Sequence, residues 1–186
     1  MANGGCLGGG NRVRLASCAM RHGALWAGSQ MNLAHWIWVA TAAYGIHALE
    51  EFILDWRDWA RAVIRLPVEW AHFYVVNFLV IVLGIVAANL AEVAPALALS
   101  FPALMLINGI FFHVVPVIVT RGRFSPGLFT AIVLLLPIGL ICYRVASDAG
   151  KLDLVSLVSS LLTGAALMAT PIVLLRIKDR PYFRQA

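Results

Sequence analysis

The chain has 186 residues, 61% of them hydrophobic and only 12% charged, with a formal charge of +5 and a mean hydropathy of +0.86. Soluble domains carry about twice that share of charge, so the composition excludes disorder, a nucleic-acid-binding tail and most water-soluble folds. What remains is an all-α, polytopic membrane helix bundle, because backbone facing lipid must satisfy its hydrogen bonds within its own segment. A span needs about 20 mostly apolar residues, which leaves no room for a large extramembrane domain.

Residues 1–30 read as a flexible extension rich in glycine (Gly4, Gly5, Gly8, Gly9, Gly10) and arginine (Arg12, Arg14, Arg21). They lack the apolar core of a signal peptide, and Met31 is an alternative start. Residues 31–180 form the transmembrane domain and 181–186 a short tail. Five apolar segments follow in order, at about 32–54, 68–90, 96–119, 126–145 and 152–177. Pro67 suits the first turn of a helix, and Ser125-Pro126 reads as an N-cap followed by proline at the first helical position. Cys6, Cys18 and Cys142 show neither zinc-type spacing nor an even disulfide set.

Five alternating spans put the first loop, the third loop and the C-terminus on one side. Nine Lys and Arg residues gather there, against five on the opposite side, or two if the chain starts at Met31. By the positive-inside rule the N-terminus is outside and the C-terminus cytoplasmic, in the cytoplasmic (inner) membrane. Trp56, Trp59 and Trp70 flank the first loop as an interfacial belt.

Ionisable residues within spans are costly and mark function. His47, Glu50 and Glu51 share a face about 100° wide on the first span, with Tyr44 one turn earlier. The second span offers Glu69, His72 and Asn77, and the third Asn108 and His113. The alternation brings His47, Glu50, Glu51, Glu69, His72 and His113 to one half of the membrane, with Asn77 and Asn108 deeper. Such residues suit Fe, Mn or Zn, and opposed His-x-x-Glu and Glu-x-x-His pairs occur in di-iron bundles. The predicted ligands are His47, Glu50, Glu51, His72 and His113. Glu50, Glu51 and His113 are candidate catalytic groups, and Tyr44, Asn77 and Asn108 candidate substrate contacts. Asn108 and His113 are five apart, about 140° around an α-helix, and need a bend to meet; Pro116 supplies one near Phe112. Structural readings stand beside these: Glu69 complements a helix start, the asparagines join helices, and the histidines are buried neutral imidazoles.

His47-Ala48-Leu49-Glu50-Glu51 resembles the signature of the HXXEE-domain family of small membrane proteins. Asn108-Gly-Ile-Phe-Phe-His113, followed by Arg123-Phe124-Ser125-Pro126-Gly127, is similar to that family's second block, with Phe124 where a tyrosine is expected. The resemblance covers about 34–137. It implies the fold and the site but no reaction. The function expected from the residues is a metal-dependent enzyme acting on a lipid or other apolar substrate that enters from the bilayer. The alternatives are metal-free acid–base chemistry by the same residues, a proton relay or transporter, and a structural role. Apolar residues fill the other half of the first two spans, so no polar path crosses the membrane. No nucleic-acid partner is expected.

Overall fold

The computed structural model describes residues 31–177 and Tyr182. The N-terminal extension and most of the tail expected from the sequence lie outside the described residues. Helix α1 (Leu33–Ile53) begins where the Asn32 side chain accepts the His35 N–H at 3.0 Å, which satisfies one of the unpaired donors of a first turn. It ends near Asp55, whose φ of 55° turns the chain into α2 (Trp56–Val63), bent 73° from α1. Then come α3 (Trp70–Leu90), α4 (Pro95–Val119), α5 (Leu128–Asp148) and α6 (Leu154–Ile177). The described residues hold no strand. Helices α3 to α6 are each long and apolar enough to cross a membrane, and α1 taken with α2 makes a fifth candidate.

The bundle is apolar outside as well as inside. Ile46, Leu49, Phe78, Leu79, Phe129, Leu140 and Leu162 are all exposed, a surface that water would not tolerate at this extent. Small residues bring the inner helices together. A Cβ on Gly84 of α3 would meet Thr41 of α1, and would lie 2.9 Å from Phe101 of α4. One on Gly164 of α6 would lie 2.6 Å from the Ala103 Cβ and 2.9 Å from the Ser100 carbonyl of α4. Close backbone approach is how helices associate where lipid is as apolar as leucine. The Tyr143 hydroxyl joins α5 to Ser160 of α6 at 2.8 Å and to the Leu99 carbonyl at 3.3 Å.

Cross-links between loops fix which ends lie together. Lys151, between α5 and α6, ion-pairs with Glu92, between α3 and α4. At the opposite end Arg176 donates to the Arg65 carbonyl at 2.9 Å. The tryptophans depart from the expected belt. Trp56 and Trp59 turn inward and form a second core with Leu66, Val68, Phe73 and Leu175. Trp70 stays partly exposed, with the Arg57 guanidinium 5.5 Å from its ring centroid.

Two π-helical segments interrupt the long helices, Gly109–Val114 in α4 and Ala131–Leu135 in α5. In each the closing bond skips five residues, Val115 N–H to the Ile110 carbonyl and Leu136 N–H to the Ala131 carbonyl. Each ends two residues before a proline, Pro116 or Pro137. Proline lacks a donor and crowds the carbonyl four residues back, and a π-turn absorbs both effects.

Candidate metal centre

His47, Glu51 and His113 meet inside the bundle, near the end that holds the first and third loops. His47 and Glu51 are one turn apart on α1, as the i, i+4 spacing requires. His113 comes from the π-segment of α4. Both imidazoles are fully buried and Glu51 is 5% exposed. Glu51 Oε1 lies 3.5 Å from His47 Nε2 and 3.3 Å from His113 Nε2. One ligand atom from each residue fits within 4.8 Å of the others. The imidazoles stack edge to face with centroids 4.7 Å apart.

The surrounding hydrogen bonds set the tautomers. Both Glu50 oxygens act as acceptors: Oε1 takes the Phe129 N–H at 3.3 Å, and Oε2 takes the Thr130 N–H at 2.8 Å and its hydroxyl at 2.5 Å. With its proton directed to Glu50, Thr130 Oγ1 accepts from His47 Nδ1 at 2.8 Å. His47 Nε2 is then an acceptor that faces Glu51 and takes the Asn108 amide N–H at 3.3 Å. On the other imidazole the Ser125 hydroxyl donates to the Phe112 carbonyl at 3.2 Å and accepts from His113 Nδ1 at 3.1 Å. His113 Nε2 is therefore a second lone pair, and among the described residues it has no hydrogen-bond partner. Two imidazole lone pairs and a carboxylate oxygen thus converge with only one amide donor among them. Gathered in one buried space, these three groups could hold a metal ion.

Gly127 forms the floor of the site. Its φ is +92°, a region open to glycine at little cost. A Cβ there would lie 2.6 Å from His113 Cε1, 2.8 Å from His47 Cε1 and 3.0 Å from Glu51 Cγ. The third loop therefore folds inward, with Ser125, Pro126 and Gly127 buried. The expected Ser125–Pro126 cap is not formed. The helix starts at Leu128 with Gly127 before it, and the serine hydroxyl serves His113 instead.

The other predicted site residues take separate places. Glu50 touches Thr130 rather than the triad. Tyr44 donates to Asn77 Oδ1 at 3.0 Å, and the Asn77 amide donates to the Phe73 carbonyl at 2.9 Å. His72 closes a capping box with Glu69, accepting the Glu69 N–H on Nδ1 at 3.2 Å; Glu69 also pairs with Arg61 at 2.7 Å. Asn108 and His113 both reach His47, because five residues make about one turn of a π-helix. His72 and Asn77 have the same spacing in regular α-helix and do not converge. Thr130, Ser125 and Gly127 were not predicted as site residues. The one sequence signal near them was the second motif block.

The fold and this buried triad define a helical membrane protein with an intramembrane His–Glu–His centre. Residues 38–142 match the family model described as protein of unknown function with HXXEE motif, and the chain belongs to that family. Among curated proteins and solved structures, nothing matches the chain significantly.

Proposed function

We propose that His47, Glu51 and His113 hold a divalent transition-metal ion, and that the protein is a membrane enzyme using it on an apolar or lipid substrate drawn from the bilayer. The observation that carries this reading is the pair of buried imidazole Nε2 atoms gathered on one carboxylate oxygen, at 3.5 and 3.3 Å. Two histidines and one carboxylate are a donor set for Zn, Fe or Mn, and three protein ligands leave coordination open for chemistry. When bound, such an ion supplies Lewis acidity or, for Fe and Mn, redox capacity.

The chain's own residues supply the rest. Glu50 orients His47 through Thr130, the outer role carboxylates play behind ligand histidines. Ser125 does the same for His113. Glu51 also borders a small pocket shared with Asn77 and Asn108, which supports a role for its carboxylate in proton transfer. The basic residues at the loop 1 and loop 3 end favour a cytoplasmic position for the site.

The test is metal analysis of protein purified without an affinity metal. One equivalent of Zn, Fe or Mn is expected, lost in His47→Ala and in Glu51→Gln. Glu50→Gln retains the site and binds about 10- to 100-fold more weakly. Folded wild-type protein that takes up none of these ions refutes the metal reading. A triad that instead holds a proton, with pH-coupled movement of a solute in proteoliposomes, makes the protein a transporter.

A further inference from the structure

A groove of about 750 Å³, open along the outer face of the bundle, lies between α3 and α6, floored by Tyr44 of α1 and Leu104 of α4. That volume is in the range of small-molecule sites. Its α3 wall runs from Ala71 to Val86, about 22 Å at 1.5 Å per residue, most of the roughly 30 Å depth of a hydrocarbon core. The walls are almost wholly apolar, with Leu79, Leu83, Leu167 and Leu174 among them. Pro171 stands within α6 beside it, where it deprives the Leu167 carbonyl of its helical partner.

Polar groups occur at one end only. There the cavity adjoins the small pocket that reaches Glu51, and Tyr44, His72 and Met168 line both. The small pocket is also lined by Trp56, which is 9% exposed and whose indole N–H has no partner among the described residues. A buried indole N–H ordinarily finds an acceptor. His72 accepts on Nδ1, so its neutral ring carries a second donor at Nε2.

We infer that this pair of cavities binds a single-chain amphiphile. Its hydrocarbon tail lies between α3 and α6, and a hydrogen-bond-accepting head group, a hydroxyl or carbonyl oxygen, sits beside the Trp56 and His72 donors. Bilayer tails are as apolar as the cavity, so selectivity comes from tail shape and from the head-group acceptor. That this molecule is also the substrate rests on the metal reading above; its binding does not.

The probe is a spin-labelled stearyl alcohol added to the full chain in nanodiscs, with immobilised label read by electron paramagnetic resonance. About one equivalent of immobilised alcohol is expected, displaced by unlabelled stearyl alcohol and not by excess phosphatidylcholine. Leu83→Trp fills the groove and abolishes the immobilised signal while helix content and thermal unfolding in detergent stay at wild-type level, which shows the variant folded. Trp56→Phe weakens the alcohol by between about twofold and about tenfold, the size of one hydrogen bond. The same substitution leaves a spin-labelled alkane unchanged. His47→Ala loses metal and keeps the alcohol, so failure of the metal reading and failure of this one give different results. Displacement by phosphatidylcholine, or an unaltered signal in a folded Leu83→Trp protein, overturns the inference.

Discussion

Glu50 and Glu51 are adjacent, yet one helical step of 100° gives them different partners. Glu51 faces the two imidazoles, whereas Glu50 is held by Thr130 and Phe129. The two carboxylates of the motif thus part company: Glu51 stands in the triad that could hold a metal, and Glu50 accepts from the first residues of α5. Gly127 shows how little room is left: its absent side chain is the space that the imidazole edges occupy. Gly127→Ala meets both a left-handed backbone and two imidazoles. About 1–3 kcal/mol of stability should be lost, with metal affinity reduced alongside. Unfolding in detergent followed in parallel with metal titration checks this; a variant with wild-type values on both refutes the role given to this glycine.

At the scale of elements, the π-segment in α4 decides whether the site exists. Asn108 and His113 both reach His47 because residues 109–114 are wound more loosely than an α-helix. Pro116 favours that winding. Pro116→Ala lets the segment tighten and swings His113 off the centre, so metal affinity should fall about tenfold or more, the scale seen when a ligand's support is lost. Circular dichroism should meanwhile show helix content held or slightly increased. Unchanged affinity argues that packing alone maintains the π-turn. A second element carries a pH signature. Asp153 accepts the Ser156 N–H at 2.7 Å at the start of α6, and these hydrogen bonds hold its carboxyl below the usual carboxylate range. A lowered folded pKa stabilises the ionised form. The contribution is therefore present above the unfolded value of about 4 and lost as pH falls through the lower folded value. Thermal unfolding of wild type and Asp153→Asn should differ at neutral pH and converge under strong acid.

For the whole molecule, the loop ion pair Lys151–Glu92 and the Arg176–Arg65 contact define two ends of unequal charge. Arg57, Arg61, Arg65, Arg121, Arg123 and Arg176 lie at the end nearer the site, and Arg144 and Lys151 at the other. An orientation with the centre toward the cytoplasm, the one the positive-inside rule favours, makes a testable prediction. In a background free of other cysteines, Gly150→Cys should react with a membrane-impermeant maleimide on intact cells, and Gly122→Cys only after lysis. The reverse pattern inverts the topology and moves the site to the outer leaflet.

The amino-acid sequence by itself determined the helical class, the approximate spans, and the gathering of His47, Glu51 and His113 at one end, since hydropathy and alternation act over single segments. It could not separate Glu50 from Glu51, detach His72 from the centre, or bring Thr130, Ser125 and Gly127 into it. Those outcomes depend on helix rotation, on two π-turns and on a loop folded inward, and such features are set by packing between segments rather than by periodicity within one. Trp56 and Trp59 make the same point. Their composition suits an interface, but the 73° bend after Ile53 gave them an apolar neighbour, and burial against Phe73 and Leu175 replaced the lipid headgroups.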